Sequence, residues 1–193
     1  YLSNRSSGRQ GHAIAAALRD AGAEVTLVSG PVSLPDPSGM TVIHVETAQE
    51  MLEACLSMLP VDVAVCAAAV SDWRVAAVSA QKIKKKDGAP PRLELVENPD
   101  ILHTLGHLSA NRPRLLIGFA LETEDLLTHA HAKRAAKGCD WILANHVARG
   151  AVFGAESNEI AFITGDSAEA WPRMRKHEVA EALVGKIAAC LSA

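Results

Sequence analysis

Short apolar runs rich in β-branched residues alternate with longer alanine-rich stretches along this chain. The runs cover residues 24–28, 41–45, 63–67, 114–119 and 141–143, and the alanine-rich stretches cover 8–21, 48–58, 99–108, 123–137 and 176–190. Strands that alternate with helices are typical of a parallel sheet covered by helices. The pattern therefore predicts a doubly wound, mostly parallel α/β fold of the Rossmann-like type.

Length and composition allow one domain with a substantial core. The chain has 193 residues, of which 49% are hydrophobic and 21% charged, a balance typical of globular proteins. No apolar run approaches the roughly 20 residues of a membrane span. The net charge of -3 offers no general attraction for nucleic acid or an acidic membrane. We expect residues 1–193 to form one domain with neither nucleic acid nor membrane as a partner.

The four cysteines are far apart in the sequence, at Cys55, Cys66, Cys139 and Cys190. They form neither zinc-type pairs nor a dense disulfide pattern. They indicate buried thiols in a reducing compartment, and we expect a cytoplasmic protein.

The first predicted helix follows Tyr1 almost at once. In Rossmann-like folds a strand precedes the first phosphate-facing helix. We therefore expect that strand upstream of Tyr1, in a longer parent chain.

Two segments interrupt the alternation of strands and helices. Residues 30–39 are rich in Pro and Gly and predict a surface loop, whereas residues 73–96 form a longer insertion that carries several lysines. We expect the second insertion to be the functional one. Lys82 and its neighbours could close over a triphosphate, although a run of charge is more often a solvated surface.

Two segments suit a phosphorylated ligand at the carboxyl edge of the sheet. Ser6, Ser7 and Gly8 open a helix, where backbone N–H groups and hydroxyls can hold phosphate; an ordinary serine N-cap explains them equally well. Cys66 and the alanines after it are small enough for a ligand to approach the backbone. Asp72 could contact a metal or a hydroxyl, although a local turn is its commoner role.

Two further features have ordinary explanations when taken alone. Asn98, Pro99 and Asp100 form a good helix start without any ligand. Lys133 and Lys137 lie four residues apart on one predicted helix face and can converge on one anion, but this spacing is common on solvent-facing helices.

Seven short motifs occur in a fixed order. They are SNRSSG at 3–8, VTLVSGP at 25–31, AAAVSD at 67–72, KIKK at 82–85, NPDIL at 98–102, GFALET at 118–123 and AN at 144–145. Together they resemble, over essentially the whole chain, the phosphopantothenate–cysteine ligase family, the ligase part of the bacterial bifunctional coenzyme A biosynthesis protein. Trp73 stands where this family usually has Tyr or Phe.

The resemblance implies a ligase that uses CTP and Mg2+. 4'-Phosphopantothenate would attack CTP to form an acyl-cytidylate and release pyrophosphate. L-Cysteine would then displace CMP to give 4'-phosphopantothenoylcysteine. The lysine run and the NPDIL motif look like the bacterial, CTP-using type of the family.

The resemblance also implies roles for individual residues. Lys82 matches the lysine needed for the first step, and Asn4 matches the asparagine that holds the intermediate for the second. The phosphates would contact Ser6, Ser7, Gly8 and Gly11. The nucleotide and substrate wall would comprise Cys66, Ala67, Ala68 and Asp72, with Asp72 as the candidate magnesium ligand. The base pocket would comprise Pro99, Asp100, Ile101, Leu102 and Phe119, with Lys133 and Lys137 as its charged wall.

The resemblance further implies a homodimer formed through the insertion at 73–96. It also implies fusion to a flavin-dependent decarboxylase domain, which would hold FMN outside this chain.

Two other classes of function compete with the ligase. A noncatalytic nucleotide-binding regulatory module would keep the helix start and the small residues but would not need Lys82 together with Asn4. An NAD(P)-dependent oxidoreductase would need a glycine-rich fingerprint and an acidic ribose ligand about 20 residues later, and the sequence lacks that fingerprint.

Overall fold

The computed structural model describes residue 4 and residues 6–77, 93–122, 126–146, 157–158, 160–165 and 167–192. The helices are α1 (Arg9–Asp20), α2 (Ala48–Ser57), α3 (Ile101–Gly106), α4 (Leu126–Lys137) and α5 (Lys176–Leu191). The strands are β1 (Thr26–Ser29), β2 (Thr41–His44), β3 (Val63–Cys66), β4 (Trp73–Val75), β5 (Leu95–Glu97), β6 (Leu115–Glu122), β7 (Trp141–His146), β8 (Ser157–Asn158), β9 (Ile160–Ile163), β10 (Ala168–Ala170) and β11 (Met174–Arg175). All five predicted helices and all five predicted strands are present, with ends that differ by a few residues.

The main sheet has five strands in the order β10-β9-β7-β6-β3. Strands β3, β6 and β7 are parallel, whereas β9 is antiparallel to both of its neighbours. The predicted α/β fold with a mostly parallel sheet is confirmed. The antiparallel extension by β9 and β10 was not predicted.

Strands β1 and β2 form a separate parallel pair. Within the described ranges, β1 pairs only with β2 and β3 pairs only with β6. Among the described residues, the parallel strands therefore form two groups. The strand expected upstream of Tyr1 lies outside the described residues.

Helices cover both faces of the main sheet. Side chains alternate along β6, so that Leu115 and Ile117 join one core cluster and Leu116 joins the other. The first cluster contains Ile14 of α1 and Leu183 of α5. The second cluster contains residues of α3 and α4. This arrangement is the doubly wound packing that the sequence predicted.

The ends of the predicted insertion form a two-stranded antiparallel ribbon. Trp73 pairs with Glu97, and Val75 pairs with Leu95. Residues 78–92, which include Lys82, lie outside the described part of the chain. None of the described helices is long and apolar enough to cross a membrane.

Candidate functional site

The start of α1 meets the carboxyl end of β3. A Cβ atom added to Gly11 would lie 4.0 Å from the Cβ of Ala67. Ala67 is half-buried, and the next residue, Ala68, is exposed. The helix start and the small residues after β3 are therefore neighbours, as the sequence predicted for one ligand edge.

Gly8 is the N-cap of α1, and any other residue at this position would strain the backbone. Its φ is +70°, a left-handed conformation, and an added Cβ would lie 2.9 Å from the Cγ1 of Val32. The Gly8 N–H donates to the Ser6 Oγ at 3.4 Å. The alternative interpretation of this segment as an ordinary serine N-cap is wrong, because the capping residue is Gly8. Ser6 and Ser7 are exposed at the helix start.

Asn4 lies beside the segment after β3. Its Nδ2 donates to the backbone oxygen of Val70 at 2.9 Å. This bond connects residues 66 positions apart in the sequence. It places the predicted catalytic amide next to the predicted substrate wall.

Asn98 fixes the turn that presents Asp72. Its N–H donates to the Asp72 backbone oxygen at 2.8 Å, and its Nδ2 donates to the backbone oxygens of Ser71 at 2.8 Å and Trp73 at 3.3 Å. Asn98 was not predicted as a site residue, although it belongs to the NPDIL motif. The Asp72 side chain is exposed.

The side chains around Asp72 fit a magnesium ion only if substrate phosphates and water supply most of its ligands. The described residues contain no group of three or more His, Cys, Asp or Glu side chains able to hold a metal. Mg2+ usually keeps several waters and binds one or two carboxylates together with substrate phosphates. The exposed carboxylate of Asp72 fits an ion that is shared with phosphates.

Asp100 joins the start of α3 to the end of α4. Its Oδ1 accepts from the His103 N–H at 3.0 Å, and its Oδ2 accepts from the Lys137 Nζ. Partial burial favours the protonated acid, but the bonds from Lys137 and His103 outweigh burial and lower the pKa of Asp100. Lys137 is thus engaged by a carboxylate. Lys133 lies half-buried one turn earlier, and their shared role toward an anion stays a prediction.

The predicted base-pocket residues lie on both faces of the sheet. Ile101 belongs to the core, and a Cβ added to Gly118 would lie 2.5 Å from the Leu102 Cδ2, so Leu102 packs directly on β6. Phe119 packs with the opposite core cluster. Ile101 and Leu102 therefore position α3 through packing. Half-buried Pro99 precedes them, and the grouping of these residues around one base stays a prediction.

Cys66 contributes an uncharged thiol to the predicted nucleotide and substrate wall. Burial raises the pKa of Cys66 to about 12, with smaller effects of Cys55, Cys139 and Asp100 in the same direction. Because the thiolate is the nucleophilic form, Cys66 is no nucleophile at neutral pH.

A cavity of about 400 Å3 lies at the carboxyl ends of β1 and β2. It is lined by Gly30, Pro31, Val32, His44, Val45, Glu46 and Glu50. Val32 also contacts the Gly8 turn, so the cavity borders the predicted phosphate edge. No ligand role was predicted for these residues.

The model of one protein family, the DNA/pantothenate metabolism flavoprotein C-terminal domain, matches residues 1–191. The chain belongs to this family. It is 38% identical over 207 residues to the coenzyme A biosynthesis bifunctional protein CoaBC of Mycobacterium bovis, covering 100% of this chain and 50% of that protein. It is 41% identical over 188 residues to CoaBC of Haemophilus influenzae, covering 97% of this chain and 46% of that protein.

The fold also matches a solved structure of the family. The crystal structure of the C-terminal domain of CoaBC superposes with a TM-score of 0.81 at 35% identity, covering 99% of this chain and 86% of that one. The chain spans about half the length of the CoaBC proteins that it matches. The family predicted from the seven motifs is confirmed.

Proposed function

We propose that this chain is a phosphopantothenate–cysteine ligase that joins 4'-phosphopantothenate to L-cysteine in coenzyme A biosynthesis. The single observation that carries the proposal is the bond from Asn4 to Val70, which joins two of the family motifs at the carboxyl edge of the sheet. Similarity to CoaBC proteins over the whole chain supports it.

We propose CTP as the nucleotide and an acyl-cytidylate as the intermediate. The helix start at Ser6, Ser7 and Gly8 would hold phosphate groups near Ala68, where the backbone is accessible. Asn4, oriented by Val70, would hold the intermediate while the cysteine amine attacks its acyl carbon. Bringing these groups together is the main contribution that such a site makes to the rate.

Two cationic groups would offset the charge of the reacting phosphates. Asp72 would hold Mg2+ together with the phosphates, and the ion would supply positive charge at the oxygens of the leaving pyrophosphate. Lys82 would neutralise charge that develops in the first step.

We also propose a homodimer that forms through the insertion at 73–96. Register places Trp73, Val75, Leu95 and Glu97 on one face of the β4–β5 ribbon. Trp73 is 47% exposed and Leu95 is 44% exposed. A second copy of the ribbon would cover the apolar side chains of this face.

The wider setting follows the CoaBC relatives. We propose that the parent protein carries a flavin-dependent decarboxylase domain with FMN, outside this chain. The four cysteines are free, and Cys139 is buried, but Cys190 is exposed, so the prediction of buried thiols is wrong for Cys190. Free thiols suit a cytoplasmic location.

Pyrophosphate release from the full-length protein tests the proposal. We expect release that requires both CTP and 4'-phosphopantothenate, and amide formation that requires L-cysteine in addition. CTP binding without pyrophosphate release would instead support a regulatory module. Turnover of a nicotinamide cofactor would support an oxidoreductase.

A further inference from the structure

Three consecutive backbone carbonyl oxygens accept hydrogen bonds from one residue, Asn98. Its backbone N–H donates to the oxygen of Asp72 at 2.8 Å. Its side-chain Nδ2 donates to the oxygens of Ser71 at 2.8 Å and Trp73 at 3.3 Å. Only the NH2 end of the side-chain amide can face two carbonyl oxygens, because the other end is itself an acceptor. One amide therefore fixes the whole turn at residues 71–73.

The helix that follows does not require the side chain of Asn98. The N-cap of α3 is Asp100, whose carboxylate accepts from the His103 N–H at 3.0 Å. Asn98 lies two residues before this cap and directly after β5, which ends at Glu97. The bonds to the turn are thus the contacts that require an amide at this position.

Asp72 combines a fixed backbone with an uncommitted carboxylate. Asp side chains in turns commonly bond to the backbone of their own turn. Here the Ser71 Oγ makes such a bond instead, to the backbone oxygen of Trp73 at 3.0 Å. The exposed Asp72 carboxylate forms no hydrogen bond or ion pair with the described part of the chain. It is therefore available to a ligand, while Asn98 fixes the backbone that carries it.

We propose that Asn98 is a positioning residue, which holds residues 71–73 so that the Asp72 carboxylate meets its ligand at the carboxyl edge of the sheet. The inference rests on the proposed function, in which Asp72 binds Mg2+ together with substrate phosphates. Loss of a group that orients a ligating carboxylate typically weakens metal binding or activity by about 10- to 100-fold. Asn98 acts through Asp72 and contacts no reacting group itself.

Four variants of the full-length protein test this role. Asn98→Ala removes both side-chain bonds and keeps the backbone N–H that donates to Asp72. Asp72→Asn removes the charge of the carboxylate, and the double variant combines the two changes. Arg74→Ala is the matched control, because the Arg74 side chain donates to the backbone oxygen of Glu97. It joins β4 to β5 beside Asn98 but does not bond to residues 71–73.

Calorimetry measures the binding of two ligands, CTP with excess Mg2+ and 4'-phosphopantothenate alone. We expect Asn98→Ala and Asp72→Asn each to weaken binding of the ligand that Asp72 contacts by about 10- to 100-fold. A loss for CTP with Mg2+ assigns Asp72 to the magnesium–nucleotide complex, and a loss for 4'-phosphopantothenate assigns it to that substrate. Arg74→Ala should bind both ligands as the wild type does.

The double variant separates positioning from a general structural role. If Asn98 acts through Asp72, the loss in the double variant should lie within about twofold of the loss in Asp72→Asn alone. Two independent losses would instead multiply, and this result would overturn the inference. Thermal unfolding shows whether each variant folds. If Asn98→Ala does not fold, Asn98→Asp takes its place in the cycle, because a carboxylate oxygen cannot donate to the two carbonyl oxygens.

Unchanged affinity of either single variant for both ligands would also overturn the inference, as would equal losses in Arg74→Ala. Wild-type turnover is measured separately and tests the ligase function. If the wild type binds both ligands without turnover, the ligase proposal fails, and the same cycle still decides the role of Asn98. A wild type that binds neither ligand would overturn the inference.

Discussion

The side-chain amide of Asn4 donates a hydrogen bond to the backbone oxygen of Val70 at 2.9 Å. Asn4→Asp replaces the NH2 group with a carboxylate oxygen, which cannot donate and would face a carbonyl oxygen. In the full-length protein we expect pyrophosphate release to continue while acyl-cytidylate accumulates, because the proposed role of Asn4 lies in the second step. Quenched reactions separated by chromatography measure both species.

Asn111→Asp is the control for this change. Asn111 has a φ of +57°, a conformation that Asp also tolerates, and it precedes β6, at the edge of the sheet opposite the site. Normal product formation by Asn4→Asp would contradict the assigned role.

Lys82→Gln should abolish the first step and leave the melting temperature unchanged. A lysine in a run of like charges is expected to contribute little to stability, whereas loss of one preorganised charge in the transition state costs on the order of 2.7 to 4 kcal/mol, or about a hundredfold or more in rate. Pyrophosphate release with CTP, Mg2+ and 4'-phosphopantothenate measures the rate. Lys86→Gln should be nearly silent, and equal damage by both variants would indicate only a diffuse basic patch.

The ion pair of Asp100 makes the free energy of unfolding depend on pH. Because its pKa is lowered in the folded state, its ion pair stabilises the fold above the ordinary carboxyl pKa of about 4, and this stabilisation is lost as pH falls through the lowered pKa. Asp100→Asn keeps an N-cap acceptor, so thermal unfolding of this variant should depend less on pH below about 4 than that of the wild type. Asp100→Ala removes the cap as well and should cost about 1 kcal/mol more at neutral pH. Identical pH profiles for Asp100→Asn and wild type would refute this role.

Gly118 gives Leu102 its place on β6. An added Cβ would lie 2.5 Å from the Leu102 Cδ2, so Gly118→Ala should reduce the free energy of unfolding by about 1 to 3 kcal/mol. Gly185→Ala is the opposite case, since nothing lies within 4 Å of the added atom and alanine is favoured over glycine inside a helix by about 0.5 to 1 kcal/mol. In urea unfolding, the free energy of unfolding should be higher for Gly185→Ala than for wild type and lower for Gly118→Ala. Equal stability of Gly118→Ala and wild type would show that α3 shifts without cost.

The exposed ribbon face predicts association. Light scattering should give a dimer for the full-length protein at micromolar concentration. Trp73→Glu and Leu95→Glu together place like charges on both ribbons and should shift the mass toward the monomer, whereas Arg74→Glu, on the other face, should not. A monomeric wild type would count against this interface.

The sequence predicted most of the fold because its apolar runs have clear lengths and clear boundaries. It missed β9, although all of Ile160–Ile163 is buried, because a short apolar run alone does not distinguish a strand from part of a helix. The site motifs were found from their order along the chain. The bond from Asn98 to Asp72 and the pairing of Asp100 with Lys137 were not found, because contacts between distant residues depend on how the elements pack.

The pair formed by β1 and β2 has a consequence for local unfolding. Each strand has four residues, and a two-stranded pair is only marginally stable by itself, so in a chain limited to residues 1–193 β1 and β2 should unfold locally at a lower free energy than the five-stranded sheet. Amide hydrogen exchange should then be faster at Val28 than at Ile117. A ligand that contacts both Val32 and Ala67 would couple the β1–β2 pair to the five-stranded sheet. Part of its binding energy would then appear as slower amide exchange in β1.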